Sequence, residues 1–228
     1  RLGDVFINDA FGTSHRAHAS IAGIAHYLRA VSGLLLEKEI KTLSGILGHP
    51  KRPFASLIGG AKVSDKLGML ENITNRVDSL VIGGGMAATF LKAQAYEVGI
   101  SLIEPDLLET VARLMEEVNR SEVRLLLPID VVVADEPNIE AKGEIVLVEN
   151  IPLNKMIVDI GPKTIDNFSK ELQNCKTIFW NGPTGVYEIP QFAKGTQTIA
   201  QLLANLEATT IIGGGSTAEM VNELGLAD

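Results

Sequence analysis

Cysteine, aromatic side chains and long apolar runs are all scarce in this chain of 228 residues, and each scarcity excludes a class of protein. Cys175 is the single cysteine, which excludes an internal disulfide and a cysteine-based zinc cluster and favours a reducing, cytoplasmic location. The longest apolar run, residues 80–91, is interrupted by consecutive glycines and falls short of the ~18 apolar residues that span a membrane. No basic segment followed by an apolar one opens the sequence, so we expect no secretory signal and no membrane partner.

Positive charge is also in short supply. The chain has 20 lysines and arginines against 28 aspartates and glutamates, a formal net charge of −8, and only 5% aromatic residues. Scattered basic residues on an acidic background argue against nucleic acid as the main partner. Since 46% of the residues are hydrophobic, the chain can bury a sizeable core, and it is expected to fold as a globular protein.

Glycine, in contrast, is abundant, and its placement predicts the fold. There are 22 glycines, and many follow a short apolar run and precede a segment with helical spacing. This pattern predicts βαβ units in a doubly wound α/β fold, with a mainly parallel sheet and helices on both faces, as in Rossmann-like domains. We expect all five strands in one sheet, with their glycine-bearing ends at one edge. The five strand-to-glycine units are at residues 55–60, 79–85, 156–161, 177–182 and 210–215.

The remaining pattern predicts the helices and the domain organisation. Helical spacing recurs at residues 105–119, 162–172 and 192–206, and Gly143 leads into an apolar run at 144–148 that suggests an antiparallel excursion. In the first third we expect a strand at 5–8, a helix at 21–28 and a helix at 35–47 that ends in a Pro/Gly break. A helix of this kind, followed by a Pro/Gly break, suits an interdomain connector.

Glycine turns at one sheet edge predict a site for phosphate. Glycine lets the backbone approach a ligand, and the N-terminus of the following helix attracts negative charge. Lys62 and Lys66, four residues apart, are expected on one face of a first helical turn, where two ammonium groups repel each other unless an anion lies between them. The alternatives stay open that the glycines only make tight turns and that the lysines are solvated.

Several known nucleotide motifs are missing. The chain has no G-x-x-x-x-G-K-[ST] motif and no protein-kinase signature, and its glycine triplets do not give a clean G-x-G-x-x-G. A nicotinamide dehydrogenase domain therefore remains only a competing hypothesis. His15 and His18 have metal-ligand spacing but lack a third ligand nearby, so we interpret them as a polar pair.

Five segments, in order, resemble the phosphoglycerate kinase family, and the resemblance covers the whole chain. They are Asp9-Ala10-Phe11-Gly12-Thr13-Ser14-His15-Arg16, Gly60-Ala61-Lys62-Val63-Ser64-Asp65-Lys66, Gly83-Gly84-Gly85-Met86-Ala87, Asp159-Ile160-Gly161-Pro162-Lys163-Thr164 and Trp180-Asn181-Gly182-Pro183-Thr184-Gly185-Val186-Tyr187-Glu188. The resemblance implies a glycolytic enzyme, monomeric at full length, that transfers a phosphoryl group between 1,3-bisphosphoglycerate and ADP, giving 3-phosphoglycerate and ATP with Mg²⁺. It implies a partial chain: residues 1–33 as the remnant of the N-terminal, phosphoglycerate-binding α/β domain, 34–50 as the interdomain helix and linker, and 51–228 as the nucleotide-binding domain without its C-terminal segment.

The resemblance also implies roles for individual residues. Lys62 would be catalytic, neutralising the phosphoryl group in transfer, and Arg16 would contact 3-phosphoglycerate. The residues implied for the nucleotide are Gly60, Ala61, Lys62, Lys66, Gly83, Gly84, Gly161, Asn181, Pro183, Val186, Glu188, Gly213, Gly214, Gly215, Ser216 and Thr217.

One position departs from the family pattern. Ser216 stands where the family usually has an aspartate that binds Mg²⁺, so no metal ligand is certain and Asp65 is a possible substitute. Because the phosphoglycerate-binding domain is mostly missing, this chain is expected to bind ADP or ATP but to turn over negligibly. A stand-alone ADP/ATP-binding module without catalysis is the alternative.

Overall fold

The computed structural model describes residues 3–14 and 16–227, which form two compact units, Arg1–Pro50 and Lys51–Asp228. Ten strands are present in the described part: β1 Val5–Asn8, β2 Arg29–Ser32, β3 Phe54–Ile58, β4 Ser79–Ile82, β5 Arg124–Leu126, β6 Asp130–Ala134, β7 Glu144–Leu147, β8 Met156–Ile160, β9 Thr177–Asn181 and β10 Thr209–Gly213. The α-helices there are α1 Leu34–Gly48, α2 Leu67–Ile73, α3 Ala87–Ala93, α4 Leu108–Arg120, α5 Pro162–Leu172, α6 Lys194–Ala204 and α7 Gly215–Glu223. The assignment of residues 1–33, 34–50 and 51–228 to separate domains stays a prediction.

The first unit pairs β1 with β2 in parallel and continues directly into α1. The Asp9 carboxylate accepts the backbone N–H of Leu36 at 2.8 Å, which satisfies a donor in the first turn of α1. A Cβ at Gly33 would lie 2.3 Å from Cγ of Asp9, so only glycine leaves room for this carboxylate. One side chain thus fixes the end of β1 against the beginning of α1.

The first unit also contains a wrong prediction. Residues 21–28 do not form the expected α-helix: Ala19–Gly23 forms a single π-helical turn, and Ile24–His26 a 3₁₀ turn. In the π turn the carbonyl of His18 accepts the N–H groups of Ile21, Ala22 and Gly23. The segment is far shorter than the ~12–15 residues that sustain a helix by propensity, and Gly23 weakens it further.

The second unit is built on a five-stranded parallel sheet with the order β10-β9-β3-β4-β5, which confirms the predicted α/β class. The register aligns the last residues of three adjacent strands, Ile58, Asn181 and Gly213, at one edge. Helices cover the sheet, with α3 against α4 and α5 against α6. Trp180, expected in the core, is completely buried, and its indole N–H donates to the Gly182 carbonyl at 2.8 Å.

The prediction of five glycine-ended strands in one parallel sheet is wrong for one of them. β8, which precedes Gly161, belongs to a separate three-stranded antiparallel sheet with the order β7-β6-β8, and the fifth parallel strand is β5, which no glycine follows. The pairing of β7 with β6 confirms the antiparallel excursion expected after Gly143. A strand buried in an antiparallel sheet gives the same uninterrupted apolar run as one in a parallel sheet, so the sequence pattern did not separate them.

Three turns at the carboxyl edge of the parallel sheet pack backbone against backbone. Gly59 N–H donates to the Asn181 carbonyl at 2.9 Å, Gly60 N–H to Pro183 at 2.9 Å, and Gly84 N–H to Thr184 at 3.1 Å. A Cβ at Gly59 would lie 2.1 Å from the Pro183 carbonyl oxygen. The turns after β3, β4 and β9 therefore behave as one interlocked structure in which side chains are excluded.

We predict opposite effects for two glycine-to-alanine substitutions. Gly59→Ala forces a methyl group against buried backbone and should lower the free energy of unfolding by about 1–3 kcal/mol or more. Gly68→Ala, in an exposed position of α2 with open space around the new methyl group, should raise it by about 0.4–1 kcal/mol. Urea unfolding followed by circular dichroism checks both; equal stabilities for the two variants would contradict the interlocked turns.

Candidate functional site

A cavity of about 410 Å³ opens at the carboxyl edge of the parallel sheet, beside the interlocked turns. Its size is within the range of small-molecule sites in proteins, ~300–1,000 Å³. Seven of the residues predicted to bind a nucleotide line it: Gly60, Ala61, Gly84, Pro183, Val186, Glu188 and Ser216. The structure thus brings together parts of four predicted segments that are far apart in the sequence.

Lys66 forms a polar cluster with Asn181 next to this cavity. The half-buried ammonium group donates to Oδ1 of Asn181, and a Cβ placed on Gly60, a cavity residue, would lie 3.9 Å from Cε of Lys66. Asn181 in turn contacts the glycines after β10, because a Cβ at Gly213 would lie 2.8 Å from Nδ2 and one at Gly214 3.2 Å from Oδ1. Lys66, Asn181, Gly213 and Gly214 therefore form one group, called the lysine cluster below.

The electrostatics of Lys66 are those of a partly desolvated cation. Burial lowers the pKa of the Lys66 ammonium group, while the negative charge of the neighbouring Asp65 opposes that shift. In the described part of the chain its hydrogen-bond partner is the neutral amide of Asn181, not a carboxylate. Burying a cation beside a neutral partner costs free energy, which an anionic ligand would offset.

The expected pairing of Lys62 with Lys66 on a helical turn is wrong. Lys66 is the residue before α2, which begins at Leu67, and Lys62 lies in the preceding loop with an exposed side chain. The loop is held by Glu104, whose carboxylate accepts the Ser64 N–H at 3.0 Å. Burial raises the pKa of Glu104, but hydrogen bonds from Ser64 and Val63 and the charge of Lys62 outweigh it, so the net pKa is lowered. Residues 62–66 thus lie in a loop tied to Glu104, before the beginning of α2.

The glycine N–H groups of the turns are mostly used within the protein. Those of Gly60, Gly83 and Gly84 donate to the carbonyl groups of Pro183, Ile58 and Thr184 at 2.9–3.1 Å. The structure therefore supports the alternative that these glycines make tight turns. It does not support the interpretation that their N–H groups face a ligand. The groups near the cavity that can bind an anion are the lysine cluster and the first turn of α7.

The first turn of α7 supplies three of the predicted residues. Gly215 and Ser216 are exposed, and Ser216 and Tyr187 both line the cavity. Thr217 is buried, and its Oγ1 accepts the Gly182 N–H at 2.8 Å, so this hydroxyl ties α7 to the turn after β9. Because α7 has nine residues, its N-terminus offers N–H groups and a partial positive charge at this edge.

Three predicted residues belong neither to the cavity lining nor to the lysine cluster, the loop before α2 or the first turn of α7. Gly83 packs against the side chain of Thr184, and Gly161 packs against the Asp130 carboxylate at the beginning of α5. Arg16 is exposed and belongs to the first unit, and His15 lies outside the described residues.

Sequence reasoning missed several cavity residues, the most informative of which is Asp159. Asp159 lines the cavity although it is only 1% exposed. Burial raises the pKa of Asp159 to about 7, and the N–H groups of Gly195 and Ile160, which donate to the carboxylate, oppose the shift. The sequence did contain a signal for a functional residue here, since Asp159 is a charged residue within the otherwise apolar strand β8. The other missed residues are Gly85, Ser101, Leu102, Met156, Ile157, Val158, Gly185 and Tyr187.

Two other features of the described residues bear on function. No group of three or more His, Cys, Asp or Glu side chains there is arranged to hold a metal ion, and no helix there is long and apolar enough to cross a membrane. A second hollow of about 500 Å³ runs along the outer side of β10 and is lined by apolar residues such as Leu203, Ile212 and Val221. None of the residues predicted to bind the nucleotide lines this hollow, so the cavity of 410 Å³ is the candidate site.

The fold and the cavity define an α/β protein with a cleft at the carboxyl edge of a mainly parallel sheet. The family model described as "Phosphoglycerate kinase" matches residues 1–228, and the chain belongs to the phosphoglycerate kinase family. The phosphoglycerate kinase of Chloroflexus aurantiacus is 51% identical over 231 residues, and that of Pelotomaculum thermopropionicum is 52% identical over 226 residues.

Solved structures agree with these relatives. The phosphoglycerate kinase structure from Coxiella burnetii superposes with a TM-score of 0.89 at 43% identity, and that from Pyrococcus horikoshii OT3 with a TM-score of 0.80 at 27% identity. The matches cover 96–100% of this chain but only 56–58% of the length of these relatives and solved chains. The resemblance found in the sequence is thereby confirmed for the family and for the partial span.

The state of Lys66 leads to a prediction about stability. Because burial lowers the pKa of Lys66, the ammonium group loses its proton more readily in the native protein than in the unfolded chain. At neutral pH the group is charged in both states, and its burial in the native state then lowers the free energy of unfolding. Lys66→Met should therefore unfold at the same or a higher urea concentration than wild type near neutral pH. The difference should shrink as the pH approaches 10.5, the ordinary value for lysine.

The exposed Lys62 provides the matched control for this measurement. Lys62→Met should change the urea midpoint little between neutral pH and pH 10.5, because its side chain is exposed in the loop before α2. A clear loss of stability in Lys66→Met would show that the lysine contributes to the fold and would contradict a role in binding.

Proposed function

We propose that this chain binds ADP or ATP in the 410 Å³ cavity and provides the nucleotide side of a phosphoglycerate kinase. The reaction is the reversible transfer of a phosphoryl group between 1,3-bisphosphoglycerate and ADP, which gives 3-phosphoglycerate and ATP. The observation that carries the proposal is Lys66, a half-buried cation beside a cavity in a protein of this family, which has a neutral amide as its hydrogen-bond partner.

The two ends of the site differ in a way that suits a nucleotide. The cavity wall is largely apolar, with Leu102, Ile157 and Val186, and it would take the nucleoside. Glu188, on the same lining, would accept hydrogen bonds from the ribose. The lysine cluster and the N-terminus of α7 would take the phosphates, because both attract negative charge.

The transfer step requires alignment and charge neutralisation more than it requires a nucleophile from the protein. An acyl phosphate is already activated, so the protein has to orient donor and acceptor and balance the charge on the moving group. Lys62, exposed in the loop next to Ala61, would neutralise that group. Arg16 would contact the phosphoglycerate, for which the family uses its N-terminal domain.

Mg²⁺ would enter bound to the nucleotide. Ser216 offers a neutral hydroxyl, and the described residues show no carboxylate cluster, so the phosphates and water would supply most of the ligands, an arrangement that Mg²⁺ often adopts. Asp65, exposed beside Lys66, is the carboxylate that can assist. The ion would neutralise phosphate charge, while the chain's own cations hold the phosphates in place.

Calorimetric titration with Mg²⁺-ADP tests the proposal. Wild type should bind, and Lys66→Met should bind about tenfold or more weakly, because one hydrogen-bonded charge on the phosphates is lost. Lys163→Met is the matched control, since Lys163 is an exposed lysine in the first turn of α5 and does not line the cavity. Equal affinity in the two variants, or no binding by wild type, would overturn the nucleotide site.

The competing hypotheses have separate outcomes in the same assay. A nicotinamide dehydrogenase domain would prefer NAD to ADP, whereas the proposed site should prefer ADP. Adding 3-phosphoglycerate and ATP to this chain should give negligible turnover, as expected from the sequence. A stand-alone module would show the same weak turnover, and the two hypotheses would differ in whether a longer chain that includes residues 1–228 gains phosphoglycerate kinase activity.

We predict that Ser216→Asp restores a metal ligand at the first turn of α7. The variant should bind ADP more tightly than wild type in the presence of Mg²⁺, and the gain should disappear when EDTA removes the ion. Ser44→Asp, at an exposed serine of α1 in the first unit that does not line the cavity, controls for the added charge. An unchanged or weaker affinity for Mg²⁺-ADP would argue against a metal position at Ser216.

A further inference from the structure

The Asp159 carboxylate joins the cavity to a helix that the nucleotide would not touch. Its Oδ2 accepts the N–H of Gly195, the second residue of α6, at 2.7 Å, and its Oδ1 accepts the N–H of Ile160 at 2.8 Å. A carboxylate at this place satisfies a donor at the beginning of α6 and faces the positive end of the helix. Asp159 is thus connected to β8, α6 and the cavity at the same time.

The carboxylate also touches the turn that forms one wall of the cavity. A Cβ at Gly185 would lie 2.3 Å from Oδ1 of Asp159, and a Cβ at Gly195 would lie 2.4 Å from the same oxygen. The backbone of both residues therefore packs directly on the carboxylate. The neighbouring Val186, which lines the cavity, is held by its N–H bond to the Val158 carbonyl at 2.8 Å.

We propose that Asp159 is a positioning residue for the nucleoside: its carboxylate holds the Gly185–Val186 wall of the cavity against β8 and the beginning of α6. The proposal rests on the nucleotide site proposed above. In its charged form the carboxylate accepts both N–H bonds. In its protonated form one oxygen becomes a donor, so one of the two bonds weakens. The carboxyl group on which Gly185 packs is then held less firmly, and the wall loosens.

The surroundings of Asp159 make this change accessible near neutral pH. The elements packed around it carry Asp130 on β6, Tyr187 and Glu188 in the turn after β9, and exposed Lys194 at the beginning of α6. Burial raises the pKa of Asp159, and the two N–H bonds oppose that shift. Burial is the larger effect, and it holds the pKa at about 7. The charged form, and with it the firm wall, is therefore gained as the pH rises through about 7.

The experiment measures the affinity of the 228-residue chain for adenosine between about pH 6 and pH 8. Adenosine is the probe because it has no group that titrates in this range, whereas the phosphates of ADP do. Wild type should bind adenosine several-fold more tightly at the upper end. Asp159→Asn keeps the shape but cannot ionise, so its affinity should be about tenfold lower at pH 8 and independent of pH.

Asp78→Asn is the matched control. The Asp78 carboxylate also accepts a backbone N–H, that of Phe54 at 2.6 Å, but it lies at the opposite edge of the sheet, before β4. This variant should lose stability in urea and keep the wild-type pH profile for adenosine. A general effect of weakened folding would instead alter the two variants alike.

Each outcome decides the inference. A wild-type profile that does not change with pH, an Asp159→Asn profile that matches wild type, or equal losses in both variants would overturn it. If Asp159→Asn does not fold, the wild-type pH profile and a second variant, Gly195→Ala, still test the inference. The methyl group of Gly195→Ala displaces the carboxylate, so the adenosine affinity of this variant should no longer depend on pH. Tight ADP binding by wild type with an unchanged Asp159→Asn would reject this inference alone, whereas no binding of ADP or adenosine would reject the nucleotide site as well.

Discussion

The close contact of backbone with backbone at Gly59, Gly84 and Gly182 is the constraint on which the site depends. Side chains at these positions would overlap carbonyl oxygens or N–H groups of the neighbouring turn, and positive φ angles at Gly84 and Gly182 reinforce the need for glycine. Because the turns after β3, β4 and β9 are locked to each other, the loops that leave them are fixed as well. The cavity and the lysine cluster lie at this fixed edge.

This use of glycine separates two tasks that the sequence pattern had merged. The turns hold the architecture, and their N–H groups are consumed in doing so. Charge is provided by Lys66 and by the first turn of α7, and shape by a wall that Asp159 supports. The site is therefore stabilised by neutral backbone bonds, while the groups available to a ligand carry the electrostatic cost of being partly buried.

The sequence predicted what depends on local pattern and missed what depends on tertiary contacts. The predicted strands that end in glycine are present at β3, β4, β9 and β10. They could be predicted because a buried parallel strand requires apolar residues and a tight turn requires glycine. β8 was assigned to the wrong sheet because an apolar run does not indicate which strands it pairs with. Lys62 was placed on a helix because the bond from Ser64 to Glu104, 40 residues away, is invisible locally.

The path of the chain through the sheet accounts for where the cavity lies. From β3 the chain moves outward through β4 to β5, and it then returns to the other side of β3 to add β9 and β10. Neighbouring connections diverge where this direction reverses, and a crevice opens between them. The crevice is thus a product of the winding order, and the residues around it determine only what it can hold.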